Sequence, residues 1–132
     1  MKKAFIALLA MGFLWLLASC TADSYAWQTI TAAEAYTIMA EAGHFIILDV
    51  RTEAEFQQTR IAGAVLLPYD EIYSRAEELP DRNTVILAYC RSGRRSALAA
   101  ATLAELGYSA VYDFGGIIDW PFETVAATEE TS

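Results

Sequence analysis

The chain has 132 residues, the size of one ordinary domain, and 55% of them are hydrophobic, which excludes a disordered or fibrous protein. Seventeen acidic residues against nine basic ones give a net charge of −8, which argues against binding nucleic acid or an anionic membrane surface, so an anionic substrate would need a local site. Two cysteines are too few for a disulfide scaffold, and a mean hydropathy of +0.28 is high for an acidic soluble chain, so part of the apolarity belongs outside the fold.

That part is at the start, where Lys2 and Lys3 precede an unbroken apolar stretch over residues 4–18. The stretch is shorter than the roughly 20 residues that span a bilayer, and it ends in small residues, the outline of an export signal. Its last four residues, Leu17-Ala18-Ser19-Cys20, resemble the bacterial lipobox. The resemblance implies that residues 1–19 are removed, that Cys20 is acylated, and that the chain is held by its acyl chains to a membrane of the cell envelope, on the periplasmic or extracytoplasmic side. Which membrane holds it stays open. Residues 20–26 then read as a tether, 27–125 as the folded domain and 126–132 as a disordered acidic tail.

In the domain, residues 27–30 suit a short edge strand. Thr31 and Glu34 have capping-box spacing for a helix to about Ala42, with Gly43 as its stop. Residues 45–50 are continuously apolar apart from Asp49, which predicts a strand covered on both faces. Residues 53–58 read as a short helix and 64–67 as a strand ending at Pro68, after which Asp70 can cap a helix that closes before Pro80. A second buried strand is expected over 84–89, then a helix over 96–106 ended by Gly107, and a last strand over 110–114 before the Gly115-Gly116 turn. Alternating strands and helices predict an open parallel α/β sheet flanked by helices on both faces, with ligands bound at the carboxyl ends of the strands.

Cys90 is at such an end. With Cys20 acylated it is the one free thiol, and an unpaired cysteine in an oxidising compartment is a candidate functional group. The segment Cys90-Arg91-Ser92-Gly93-Arg94-Arg95-Ser96 joins the buried strand to the helix, so its backbone amides can form an anion-binding cradle around the sulfur. Helix dipole, amides and arginines all favour the thiolate, which is the nucleophile. Apart from Lys2 and Lys3 every basic residue is an arginine, and three of them, Arg91, Arg94 and Arg95, fall in this loop. Guanidinium groups suit planar recognition of oxyanions.

Over residues 27–125 the chain resembles the rhodanese family of sulfurtransferases, in its small single-domain periplasmic phage-shock-protein E type. The residues that carry the resemblance are Leu48-Asp49-Val50-Arg51 with Glu53 and Glu55-Phe56, then Ile61-Ala62-Gly63-Ala64, the loop Tyr89 to Ser96, Leu106-Gly107-Tyr108, and Gly115-Gly116 with Trp120. It implies a rhodanese-like fold and a thiosulfate sulfurtransferase in which Cys90 takes the outer sulfur of thiosulfate, releases sulfite and carries the sulfur as a persulfide to cyanide or a thiol. It further implies that the loop amides from Arg91 to Ser96 cradle the persulfide and that Arg91, Arg94 and Arg95 bind the donor's sulfonate. Asp49 and Arg51 would support the loop from the neighbouring strand end. The chain departs from many relatives in carrying Arg60 where they have histidine, and in the number of arginines in its loop.

Other readings fit less of this pattern. The phosphatase relatives of the fold need an arginine six positions after the cysteine, where this chain has Ser96, and an arsenate reductase would need a resolving cysteine. A non-catalytic binding module and a sulfur carrier or redox partner are the remaining alternatives. One histidine, His44, and one free cysteine offer no metal site, and no cofactor is expected. A monomer is expected. Trp120, Phe114 and Phe122 are read as core packing, His44 as a loop residue, and Tyr69 and Tyr73 as either packing or a pocket mouth.

Overall fold

The two continuous apolar runs form the centre of the sheet in a computed structural model, which describes residues 27–127. They are β2 (Phe45–Asp49) and β5 (Val85–Cys90), parallel and in register from Phe45 opposite Val85 to Asp49 opposite Tyr89. The expected export signal, Cys20 and its tether, and the tail from residue 128 on lie outside the described residues.

Around this pair the elements follow the expected order. β1 (Gln28–Thr29) is an edge strand, and α1 (Ala32–Glu41) starts on a complete capping box, with Thr31 and Glu34 each bonding the other's backbone amide. α2 (Glu53–Gln58) starts the same way on Thr52 and Glu55. Next are β3 (Arg60–Ile61), β4 (Val65–Leu66), α3 (Ile72–Arg75) between two single turns of 3-10 helix, α4 (Arg94–Glu105), β6 (Val111–Gly116) and β7 (Thr124–Val125). The main sheet has the order β1-β6-β5-β2-β4 with every pairing parallel.

Because side chains alternate across a strand, β5 divides its residues between two cores. Ile86, Ala88 and Cys90 face the cluster that contains Ala99, Ala100 and Leu103 of α4 and Ile72 of α3. Leu87 and Tyr89 face the opposite cluster, with Ala35 of α1, Phe114 and Trp120. Trp120 stands 5.3 Å from Phe114 and 4.9 Å from Phe122, centroid to centroid, in the packing role expected of it.

Four local expectations need correction. Gly43 does not end α1 through a left-handed cap; the helix ends at Glu41, and its cap residue Ala42 is extended, with its amide on the Ile38 carbonyl. Asp70 caps no helix, because it lies inside a 3-10 turn begun by Pro68, and α3 has no side-chain cap. α4 begins at Arg94 rather than Ser96, so two of the three loop arginines stand in its first turn. The Gly115-Gly116 pair continues β6, which a register shift opposite Ala88 to Cys90 carries alongside the cysteine, Cys90 pairing with Gly116. The small antiparallel pair of β3 with β7, Arg60 opposite Val125, was not anticipated; two residues on each side are too few for a period-2 pattern to show.

Candidate active site

Cys90 is the last residue of β5, and its side chain is 1% exposed. The chain then turns at once into α4. Gly93 makes that turn with φ at 102°, in the left-handed region where a side chain is strained, and its amide donates to Cys90 Sγ at 3.0 Å. Ser96, fully buried one turn into α4, brings its hydroxyl to 3.5 Å from the sulfur. The same oxygen lies 3.1 Å from the Gly93 carbonyl and 3.3 Å from that of Gly115. A thiol can donate to Ser96 Oγ, and on losing its proton it can accept the hydroxyl proton in return.

The electrostatic balance favours that loss. Burial pushes the Cys90 thiol up, but hydrogen bonds from the Ser96 hydroxyl and from the amides of Ser96, Gly93 and Ser92 outweigh it, leaving the thiol below its ordinary value. The groups that surround the sulfur are thus backbone amides and one hydroxyl.

β6 and the turn that follows it brace the loop. The Ile118 amide donates to the Arg91 carbonyl at 3.3 Å, and a β-carbon placed on Gly116 would stand 2.1 Å from that carbonyl oxygen. Only a glycine lets the strand pass so close.

Arg91, Ser92, Arg94 and Arg95 line one open pocket of about 540 Å³ together with Arg51, Tyr69 and Asp70, while Cys90 itself is not among the residues that line it. The Arg91 and Arg94 guanidinium groups have no ion-pair partner among the described residues. Arg95 differs: its Nη1 and Nη2 each donate at 2.8 Å to the two oxygens of Glu55 on α2. Arg95 beside it, with the Thr52 amide and hydroxyl, holds the Glu55 carboxyl down at about 2 against the effect of burial.

Asp49 and Arg51 form a buried ion pair, Arg51 Nη2 lying 2.6 Å from Asp49 Oδ2. Tyr89 donates its hydroxyl to Asp49 Oδ2 at 2.6 Å and accepts the Ile61 amide at 3.1 Å, while Arg51 also donates to the Thr59 carbonyl at 2.6 Å. This pair fixes the ends of β2 and β5 through the residue before the cysteine; it makes no hydrogen bond with residues 91–96. Tyr69 stands at the pocket, whereas Tyr73 is turned away to Glu105 and His44 is exposed before β2, at the far end of the sheet.

In the sequence Glu55 stands only as part of the family motif and Gly116 as part of a turn, and the Ile118 amide has no role at all. The spacing of Thr52 and Glu55 is a capping-box signal; a contact with Arg95, 40 positions away, leaves no local one.

A model of the rhodanese-like domain matches residues 31–121, well over half of the chain. The chain belongs to the rhodanese-like family. Among its relatives in that family, thiosulfate sulfurtransferase PspE of Escherichia coli is 39% identical over 54% of this chain and 70% of its own length. A sulfurtransferase of Allochromatium vinosum is 44% identical over 62% of this chain and 77% of its own. A rhodanese from E. coli solved with anions superposes with a TM-score of 0.57 at 35% identity, over 61% of this chain and 96% of that one. A rhodanese-like domain protein from Staphylococcus aureus gives 0.65 at 31%, over 73% and 93%. The chain is thus a rhodanese-like sulfurtransferase, with the α/β sheet expected of it.

Proposed function

We propose that this protein transfers the outer sulfur of thiosulfate to a thiophilic acceptor through a persulfide on Cys90. The observation that carries the reading is the Cys90 sulfur held at 3.0 Å by the Gly93 amide, in a loop whose Arg91, Ser92, Arg94 and Arg95 line a pocket. In the first half-reaction the Cys90 thiolate attacks the outer sulfur of thiosulfate. A new S–S bond forms, the bond from that sulfur to the sulfonate sulfur breaks, and its electron pair leaves with sulfite. Arg91 and Arg94 hold the sulfonate end and stabilise the departing dianion. The amides of residues 92–96 and the Ser96 hydroxyl hold the negative charge on the persulfide. In the second half-reaction cyanide or a thiolate attacks the outer sulfur, and the electron pair of the S–S bond returns to Cys90. No proton, metal or cofactor enters the balance.

Two E. coli matches support this choice of donor, one named for thiosulfate sulfur transfer and one solved with anions. With thiosulfate and cyanide the protein is expected to release thiocyanate, and Cys90→Ser to release none; thiocyanate formed equally by Cys90→Ser would overturn the role of the thiol. The pattern Leu17 to Cys20 supports placing this activity in the cell envelope, on a chain tethered to a membrane through acylated Cys20.

A further inference from the structure

Arg95 has the placement of an anion-binding residue and the bonding of a structural one. It stands in the first turn of α4, lines the same pocket as Arg91 and Arg94, and lies near enough to Cys90 for the two charges to interact. Both ends of its guanidinium fork are nevertheless taken by Glu55 at 2.8 Å. Glu55 is in turn fixed from behind, because its Oε2 also accepts the Thr52 amide and the Thr52 hydroxyl at 3.0 Å each. The carboxylate is part of the start of α2 and cannot follow the arginine into the pocket without breaking the capping box. The arginine cannot turn toward an anion without abandoning a bidentate, partly buried ion pair.

We infer that Glu55 is a positioning residue that sets how strongly the pocket holds anions: by pinning Arg95 it withholds one of the three loop arginines, so that sulfonate binds to Arg91 and Arg94 and sulfite is released readily. The inference deepens the function proposed above and rests on it. Its chemical sense lies in the balance between donor and product. Thiosulfate and sulfite are both dianions with the same sulfonate oxygens, so a pocket that gripped them with three free guanidinium groups would bind the product as firmly as the donor and gain nothing in the chemical step. Other charged groups near the sulfur keep their own partners, Asp49 with Arg51 and Asp113 with the Gly115 amide, while Asp70 lines the pocket with the arginines. Removing the Glu55 charge therefore changes the pocket mainly through Arg95.

The test is calorimetric titration of sulfite into the protein carrying Cys90→Ser, which keeps the pocket and cannot form a persulfide. Adding Glu55→Gln is expected to tighten sulfite binding by about three- to tenfold. Adding Glu55→Gln together with Arg95→Gln is expected to return the affinity to within about twofold of the parent. Glu53→Gln, which removes an exposed carboxylate from the same helix turn, controls for general charge and is expected to leave the affinity unchanged. In the protein with Cys90 intact, Glu55→Gln is expected to lower the KM for thiosulfate and to strengthen inhibition by sulfite.

A purely structural Glu55 predicts the opposite sign, weaker binding on loss of the ion pair. Weaker or unchanged binding in Glu55→Gln, an equal gain in Glu53→Gln, or a gain that persists in the double variant would each overturn the inference. If Glu55→Gln fails to fold, Thr52→Ala, which loosens Glu55 from behind, is expected to tighten sulfite binding about twofold, and no gain there overturns the inference. Should the wild type take up sulfur from thiosulfate while these affinities stay level, the role of Glu55 fails and the reaction stands; should it take up none, the reaction itself fails.

Discussion

Ser96 has one hydroxyl proton and three acceptors within reach: the carbonyls of Gly93 and Gly115, and the Cys90 sulfur when ionised. The residue can therefore answer the charge on Cys90 without moving its side chain from the wall of the loop. Because its hydroxyl and amide head the contributions that hold the thiol below its ordinary value, Ser96→Ala removes one of several such bonds. The thiol then rises toward its ordinary value, and a higher pH is needed for the same thiolate fraction. The rate of Cys90 alkylation by iodoacetamide, followed against pH, is expected to show its midpoint moved upward in Ser96→Ala; an unmoved midpoint would remove the hydroxyl from the charge balance. This part of the site was readable from the chain itself, because a cysteine at a strand end followed within six residues by a helix start brings amides to the sulfur wherever the turn is tight. The identity of the bonds was not readable, since it depends on the left-handed Gly93 and on where β6 passes.

β6 shows how one element constrains another that is remote in sequence. Its register shift opposite Cys90 carries Gly115 and Gly116 past the loop, and the Arg91 carbonyl and Ser92 Cα then lie where any β-carbon on Gly116 would have to go. Gly116→Ala must push the loop away from the strand and with it the Gly93 amide from the sulfur. Such a variant is expected to keep its helical circular dichroism and lose at least tenfold in the rate of sulfur uptake; retention of the wild-type rate would show that the loop tolerates displacement. The Gly115-Gly116 pair is visible in the sequence as a turn signal, and reading it as a turn misses its function, because close approach and a turn call for the same residue. The helix start at Thr31 is recognised from spacing, whereas the equivalent box at Thr52 goes unread, and the start of α4 carries no such signal, since it is led by Gly93 without a side-chain cap.

The whole chain is acidic, at −8, yet its loop arginines are grouped at one end of the sheet over the single cysteine of the described residues. The dianionic donor proposed above would thus meet an unfavourable general field and a favourable local one, confining its binding to the pocket. The long central strands, their parallel pairing and the placement of Cys90 at a carboxyl end follow from two continuous apolar runs with helices between them. The division of labour among Arg91, Arg94 and Arg95 does not, because it is decided by a helix 40 residues away. The export signal and lipid anchor proposed for the apolar start of the chain concern location rather than the fold. Cys20→Ser is expected to block lipid attachment and shift the protein from the membrane fraction to the soluble fraction of the envelope after export; unchanged fractionation would rule out the anchor.

The central claim is that Cys90 itself carries the sulfur, and the most direct test is the intact mass of the protein after incubation with thiosulfate and removal of small molecules. The wild type is expected to gain the mass of one sulfur atom, to lose it on addition of cyanide, and to gain none as Cys90→Ser. No gain in the wild type, or an equal gain in Cys90→Ser, would contradict the account.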